Sequence, residues 1–242
     1  MTLQDVTLRT LATRRLALRA TTLRVAWAVA EKDLRIEIRS RQALGAVLPF
    51  AATMLLAFGF ALGPNRTLLQ ATAPGLLWLA GLFAAVDLFH RSYQSEAESG
   101  ALEGLLLAPV HKGAVYLGKT IAAATQVLVL VAATALMVAV LFGLPLTRAP
   151  LLLALTLVLG AIGLSSLGSL FGLLTVIGAR QAALPILVLP LVSPVVIGAI
   201  RATSSLAQGS TEGVAGWLGV LAAFDAAFLA TGYLVYGHLV ED

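Results

Sequence analysis

The sequence predicts an all-α integral membrane protein with six transmembrane helices. Of its 242 residues, 59% are hydrophobic and 12% are charged, whereas a soluble domain typically carries about 25% charged residues. The apolar residues fall in long runs, and each run is long enough for a helix to cross a hydrocarbon core, which takes roughly 20 residues. Transmembrane β-strands would instead give short alternating segments, which this sequence lacks.

The runs without charge place the spans. Five contain no Asp, Glu, Lys or Arg, and a sixth contains one acidic residue, Asp225; they cover residues 42–65, 67–86, 120–147, 149–179, 181–200 and 213–240. From these runs we predict spans at about residues 43–63, 71–91, 119–143, 150–178, 181–200 and 213–238.

The distribution of basic residues predicts the orientation of the spans, because short cytoplasmic loops are enriched in Lys and Arg. Thirteen basic residues lie in the N-terminal region and in the connections between spans two and three and between spans four and five. Three lie in the remaining connections. Both termini are therefore predicted to be cytoplasmic.

Two segments precede the first span. Residues 1–23 are basic but lack the apolar core of about 7–15 residues that a signal peptide needs, so we predict a loosely ordered extension on the membrane surface. From residue 24 to 242 we predict one transmembrane domain. It begins with an interfacial amphipathic helix over residues 25–42, whose apolar residues recur at helical spacing beside i,i+4 ion pairs: Trp27, Ala30, Leu34 and Ile38, with Glu31–Arg35 and Glu37–Arg41. A cytoplasmic helix packed on protein is the alternative.

A polar segment, "SEAESGALEGLLLAP" at residues 95–109, separates spans two and three. Ser95 and Glu98 match an S-x-x-E capping box, and Pro109 disfavours helical geometry at the residue before it. We therefore predict a separate helix over about residues 96–108. It is too short to cross the membrane, so its leucines must be buried at the cytoplasmic surface, either on this chain or on a partner.

Residues 113–120, "GAVYLGKT", formally match the phosphate-binding pattern G-x-x-x-x-G-K-[ST]. A working P-loop follows a buried strand in a soluble α/β domain and needs a further carboxylate for magnesium. Here the pattern follows a loop and leads into a span. We therefore interpret its small residues and Lys119 as anchors for the cytoplasmic end of span three.

Several residues inside the spans are candidates for packing or for a transport path. Gly168 and Gly172 give span four a small-residue face for close helix contact, within one chain or between two. Prolines in span five each free a backbone carbonyl, which is tolerated where the helix faces protein or a wet cavity; they are Pro185, Pro190 and Pro194. Asp225 is costly in a membrane and should face protein or water. We consider it and the prolines possible transport-path or gating residues, with a structural role as the alternative.

The sequence offers little for a resident metal or cofactor. Cysteine is absent, which rules out disulfides and thiolate metal sites. The three histidines, His90, His111 and His238, map to the cytoplasmic edge. An intramembrane hydrolase is disfavoured, because no intramembrane histidine could activate a serine and no second deep carboxylate accompanies Asp225. We predict no metal, no cofactor bound by this chain and no nucleic-acid partner.

The polar segment resembles the coupling helix of ABC-transporter permeases, which seats in a groove of the ATP-binding subunit. More closely, "APGLLWLAGLFAAVDLFHRSYQSEAESGALEGLLLAP" at residues 73–109 is similar to the central signature of the haem exporter protein B family, CcmB. The Gly-rich "LTLVLGAIGLSSLGSLFGLLT" (155–175) and the Pro-rich "LPILVLPLVSPVVIGA" (184–199) resemble that family as well. The resemblance covers about residues 24–240, and residues 1–23 depart from it.

The resemblance implies an ABC-2-like permease fold and a permease subunit for c-type cytochrome maturation in the bacterial inner membrane. Its ATPase-coupling residues would be Glu98, Gly100, Leu102, Glu103, Leu105, Leu106 and Pro109. The implied partners are the ATPase subunit CcmA with ATP and magnesium, CcmC, CcmD and the haem chaperone CcmE, around two copies of this chain. Haem would be exported, or its loaded chaperone released. The alternative is an ABC-2 permease for a lipid, drug or glycan.

Overall fold

The computed structural model describes the backbone of residues 3–40, 42–98, 100, 104, 110–146, 148–177 and 184–236. Every regular element in these residues is an α-helix. The helices with described bounds are α1 (Leu3–Ser40), α2 (Gln42–Leu62), α3 (Arg66–Glu98), α4 (Lys112–Phe142), α5 (Pro150–Ile177), α6 (Leu184–Ala207) and α7 (Val214–Val235).

Five of these helices are long and apolar enough to cross a membrane within their described residues, namely Arg66–Phe89, Lys112–Phe142, Pro150–Gly172, Pro190–Ala207 and Val214–Val235. α2 adds a shorter apolar stretch, Val47–Leu62. Large apolar side chains cover the outside of the bundle, among them Phe60, Leu151 and Val140, which are 85%, 81% and 75% exposed. An apolar surface this extensive is not one that water covers. The chain is a multi-pass membrane protein.

α4 and α5 lie at the centre of the bundle. α4 packs against α1, α2, α3, α5 and α7, and α5 packs against α3, α4, α6 and α7. Two hydrogen bonds hold the connection between α4 and α5 against α3 and α6 at one end of the bundle. The Gln70 side chain donates to the Gly143 carbonyl (2.8 Å), and the Arg148 guanidinium donates to the Ala207 carbonyl (3.2 Å). At the opposite end α1 packs on the first turns of α4, and we call this the α1 end.

Aromatic side chains of α3 lie on glycines of α5, and the two helices run in the same direction. Each ring is so close to its glycine that a Cβ there would overlap it; the pairs are Trp78 with Gly160, Phe89 with Gly168 and Tyr93 with Gly172. The indole N–H of Trp78 also donates to the Thr203 hydroxyl of α6 (3.0 Å). The small-residue face predicted from Gly168 and Gly172 therefore meets α3 of the same chain.

α1 differs from the prediction, because one helix covers residues for which two segments were expected. It runs without a break from Leu3 to Ser40, through both the predicted loose extension (1–23) and the predicted interfacial helix (25–42). The physical reason lies in the composition, since no Gly or Pro interrupts this stretch. Its frequent Ala, Leu and Arg residues are good helix formers.

The end of α3 also differs from the prediction. A capping box at Ser95 would require a break in the helix there, but α3 continues to Glu98, because nothing in "HRSYQSEAE" interrupts a helix that is already formed. Gly100 then adopts a left-handed conformation (φ 68°), as glycine commonly does just past a helix end. Gly104 is helical, and its N–H donates to the Gly100 carbonyl (3.3 Å).

Candidate functional site

Most of the predicted ATPase-coupling segment lies outside the described residues. This applies to the Glu98 side chain and to the whole of Leu102, Glu103, Leu105, Leu106 and Pro109. The structure does describe the two flanks of the segment, which are the end of α3 and the beginning of α4. The way these flanks are held determines where movement of the segment would be transmitted.

A buried ionic cluster joins the two flanks to α1. Lys119 on α4 is 3% exposed, and its Nζ lies 3.5 Å from Asp33 Oδ2 on α1 and 4.6 Å from the ring centre of Tyr93 on α3. Asp33 is also paired with Lys32 at 2.8 Å. A lysine is rarely buried unless it is paired, and here both a carboxylate and an aromatic face stabilise the ammonium. We call Asp33, Tyr93 and Lys119 the Lys119 cluster.

The Lys119 cluster extends to a fourth helix, α5. The Tyr93 hydroxyl donates a 2.6 Å hydrogen bond to the Ser169 carbonyl. Together with Asp33 and Lys119, these residues line a cavity of about 20 Å³, which is large enough for about one water molecule. Salt screens buried charges much less than surface charges. The cluster is therefore a persistent electrostatic link between α1, α3, α4 and α5.

The P-loop match at residues 113–120 forms the first turns of α4. A Cβ at Gly113 would meet the ring of Tyr233 on α7 at 2.7 Å, and one at Gly118 would meet Val29 of α1 at 2.7 Å. The glycines therefore allow two helices to approach α4 closely. The lysine of the pattern belongs to the Lys119 cluster. In this geometry the segment is a packing surface, and its backbone N–H groups are not gathered into a phosphate-binding loop.

α1 has two apolar faces with different surroundings. Ala26, Val29 and Ala30 are buried, and they are on the side that packs against α4. Trp27 and Ile38 are 65% and 71% exposed and face away from the protein. One face of this helix therefore packs on the protein, and the interfacial position predicted for the helix stays a prediction for the exposed face.

Asp225 lies inside α7, against α5 and α6. The residue is 5% exposed, and neither carboxylate oxygen has a hydrogen-bond partner among the described residues. Its Oδ1 and a methyl group of Val195 both come within 2.7 Å of the position that a Cβ on Gly163 would occupy. The carboxyl group fits between the helices because residue 163 is glycine.

Comparison with known proteins identifies the family. A sequence model described as CcmB protein matches residues 24–241, which is nearly the whole chain. The chain belongs to the CcmB family. The resemblance inferred from residues 73–109, 155–175 and 184–199 is thereby confirmed.

Curated relatives of this CcmB chain agree with the family match. It is 35% identical to heme exporter protein B of Pseudomonas aeruginosa over 196 residues, which are 79% of this chain and 86% of the relative. It is also 35% identical to heme exporter protein B of Rhodobacter capsulatus over 206 residues (84% and 92%). The protein of that name from Paracoccus denitrificans is 33% identical over 202 residues (82% and 90%).

The Pro-rich helix of this CcmB chain, α6, satisfies one of its freed carbonyls locally. Pro194 has no N–H to donate to the Pro190 carbonyl four residues earlier. The Ser193 hydroxyl donates to that carbonyl instead, at 2.7 Å, and the helix continues through both prolines. The side chain of Pro185 and residues 178–183 lie outside the described residues.

One histidine side chain of the CcmB chain is described, that of His111, and it stabilises a helix end. His111 caps α4, because its Nδ1 accepts a 3.1 Å hydrogen bond from the Gly113 N–H, and its ring stacks on Tyr233. The side chain of His90 and all of His238 lie outside the described residues. Within the described part of the chain, no three His, Asp or Glu residues are grouped as a metal site would require.

Sequence reasoning missed the partners of Lys119. Asp33 and Tyr93 are 86 and 26 residues away from it along the chain, so no local pattern connects them. One signal was available, since a single lysine beside a glycine at the start of a long apolar helix must find a partner if it is buried. That signal indicates that a partner exists, but it does not identify the helix that supplies it.

Proposed function

We propose that this CcmB chain is the permease subunit of an ABC transporter for c-type cytochrome maturation in the bacterial inner membrane. The name of its relatives, heme exporter protein B, supports haem as the cargo, exported as such or released on its loaded chaperone. A separate subunit, CcmA, binds ATP and magnesium, and CcmC, CcmD and CcmE complete the machinery. In this proposal α2 is the first of six spans, the fold is ABC-2-like and both termini are cytoplasmic.

The observation that carries the coupling part of this proposal is the Lys119 cluster. The segment that resembles a coupling helix leaves α3 after Tyr93 and returns into α4 before Lys119. These two residues are in contact with each other, and Lys119 is paired with Asp33 of α1. A movement of the segment caused by a partner is therefore transmitted through the Lys119 cluster to α1, α4 and α5 together.

The segment itself supplies the contact with the ATPase. Leu102, Leu105 and Leu106 fill an apolar groove of CcmA, and Glu98 and Glu103 meet basic residues at its rim. Burying one leucine side chain stabilises a contact by about 1.5–3 kcal/mol. Leu105→Asp combined with Leu106→Asp should therefore abolish copurification of CcmA with this chain, while the chain stays in the membrane at its normal level.

Glu103→Lys tests the coupling more sharply, because it keeps helix propensity and reverses a single charge. We expect the chain to accumulate normally but ATP hydrolysis to become uncoupled from cytochrome c maturation, measured as haem-stained c-type cytochromes in a strain that lacks its own CcmB. Glu212→Lys is the matched control, since Glu212 is an exposed acid just before α7, away from the α1 end. Full maturation by Glu103→Lys, with CcmA still copurifying, would show that Glu103 does not carry the coupling.

The same strain separates the proposed cargo from the alternative. A permease for a lipid, drug or glycan would leave c-type cytochromes unmade, whereas a cytochrome-maturation permease should restore them. An ABC complex needs two nucleotide sites, so two copies of this chain should be present, each with one coupling segment. Mass measurement of the purified complex checks that stoichiometry.

A further inference from the structure

Asp225 carries a carboxyl group near the middle of α7, a candidate membrane span. It lies 11 residues after the start of α7 and 10 residues before its end, which is about 15 Å from either end at a rise of 1.5 Å per residue. The residue is 5% exposed, and neither oxygen has a hydrogen-bond partner among the described residues. Ionised carboxylates are costly at this depth unless they are paired.

The groups around Asp225 do not neutralise a negative charge. α5 presents Gly163 and α6 presents Val195 to the carboxyl group. On α4, the side chain of Tyr116 packs against α7 at Gly232. No Lys, Arg or His of the described residues makes a salt bridge to Asp225.

A metal cation fits this site poorly. Hard cations take about six oxygen ligands, whereas no group of three His, Asp or Glu that could hold a metal ion includes Asp225 among the described residues. A proton needs no further ligand, and a protonated carboxyl group is neutral. The chemistry of the surroundings therefore selects a proton.

Tyr116 closes the space between α5 and α7 on the α1 side of Asp225. Its hydroxyl shares its one proton between two acceptors, the Ser166 carbonyl (2.9 Å) and the Phe228 carbonyl (3.2 Å). Each acceptor lies three residues further along its helix than Gly163 and Asp225 respectively, which is about 4.5 Å nearer the α1 end. One buried hydroxyl thus joins the two helices between which the carboxyl group sits.

We infer that Asp225 is a proton-binding site inside the membrane, and that Tyr116 gates its exchange with water from the α1 end. The gate opens when α5 and α7 separate enough to break the two hydrogen bonds of the Tyr116 hydroxyl. Neither the proton-binding site nor its test depends on an ATPase partner. The test of this site can therefore fail or succeed independently of the proposed transport function.

Infrared spectroscopy of the full chain, purified and reconstituted in lipid at neutral pH, tests the site. We expect the C=O stretch of a protonated carboxylic acid in the wild type and its complete loss in Asp225→Asn, which has nearly the same shape. Glu212→Gln, at an exposed acid, should leave the band unchanged. If Asp225→Asn fails to fold, aspartate labelled with carbon-13 at the side-chain carboxyl should shift the band of the wild type. A folded wild type without the band, or a band that survives Asp225→Asn or does not shift on labelling, overturns the site.

The gate is tested by transfer of the same sample into heavy water, which shifts the band as the carboxyl proton exchanges. Tyr116→Phe keeps the ring and removes the hydroxyl that joins α5 to α7, so we expect exchange to be several-fold faster. Tyr233→Phe is the matched control, because Tyr233 stacks on His111 at the α1 end, and it should not change the rate. Exchange in Tyr116→Phe that is unchanged or slower than in the wild type overturns the gate.

Discussion

Single residues decide how α1 is attached to the bundle, and the two members of its buried ion pair are not equivalent. Lys119 is 3% exposed and its ammonium lies 3.5 Å from Asp33, whereas Asp33 also pairs with Lys32 at 2.8 Å. Removal of one partner from a buried pair leaves the other charge uncompensated, which can cost about 3–5 kcal/mol.

We therefore predict that Asp33→Asn destabilises the protein more than Lys119→Met. Asp33→Asn removes the carboxylate that lies 3.5 Å from the buried Lys119 ammonium, and we expect a loss that approaches about 3 kcal/mol. After Lys119→Met, Asp33 keeps its contact with Lys32. The fraction of protein that remains monodisperse after heating in detergent measures the difference.

Glu31→Gln is the control for that comparison, because Glu31 is on the same helix but pairs with Arg35 in an exposed i,i+4 bridge. Such pairs contribute about 0.3–0.5 kcal/mol, so this variant should behave like the wild type. Equal losses for Asp33→Asn and Glu31→Gln would mean that the Lys119 cluster does not hold α1 in place.

At the scale of helices, the sequence predicted more about which segments are helical than about where they begin and end. Long apolar runs, five without charge and one with only Asp225, mark α2 to α7, because the segments that cross lipid are apolar helices. The bounds of α1 and α3 depended on whether a local stop or capping signal is strong enough to interrupt a helix. A capping box at Ser95 could not interrupt a helix already in progress, and Gly100 ended it instead.

The contact between α3 and α5 yields a prediction about small residues. A Cβ at Gly168 would overlap the ring of Phe89, which is itself buried, so Gly168→Ala should push the two helices apart. Overpacking of this kind typically costs about 1–3 kcal/mol. The loss should appear as a lower midpoint of thermal unfolding in detergent, and Phe89→Leu in the same chain should recover part of it.

Gly219→Ala separates that steric effect from the loss of glycine as such. Gly219 lies in α7, and a Cβ there would meet no atom within 4 Å. Alanine is the better helix former by about 1 kcal/mol, so this variant should be as stable as the wild type or more so. If Gly168→Ala were equally harmless, the close approach of α3 to α5 would not exist in the membrane.

For the whole molecule, the family and the membrane character could be predicted from the sequence, whereas the packing could not. Hydropathy depends only on local composition, so the sequence alone is enough to identify the apolar segments. The matching of Trp78 to Gly160 and of Tyr116 to Gly232 depends on shape complementarity between helices far apart in sequence. Asp225 stood out in the sequence as an acid in an apolar run, but its position against Gly163 of α5 required the fold.

The overall topology gives the last prediction, and the absence of cysteine makes it directly testable. Asn65 and Ser210 are exposed in connections at the end opposite α1, and Ser40 is exposed at the end of α1. Thirteen basic residues against three predict that the α1 end is cytoplasmic. In intact cells with a permeable outer membrane, a membrane-impermeant maleimide should therefore label single cysteines at positions 65 and 210 but not at position 40.

The outcome is decisive because the three sites test orientation and span number together. Opening the inner membrane should make a cysteine at position 40 as reactive as the other two, which controls for intrinsic reactivity. Labelling of position 40 alone in intact cells would show that the orientation is the reverse of the predicted one. The coupling segment would then face the periplasm, where no ATPase could reach it. Labelling of positions 40 and 65 together would mean that α2 does not cross the membrane. The bundle around Asp225 would then have five spans and not six.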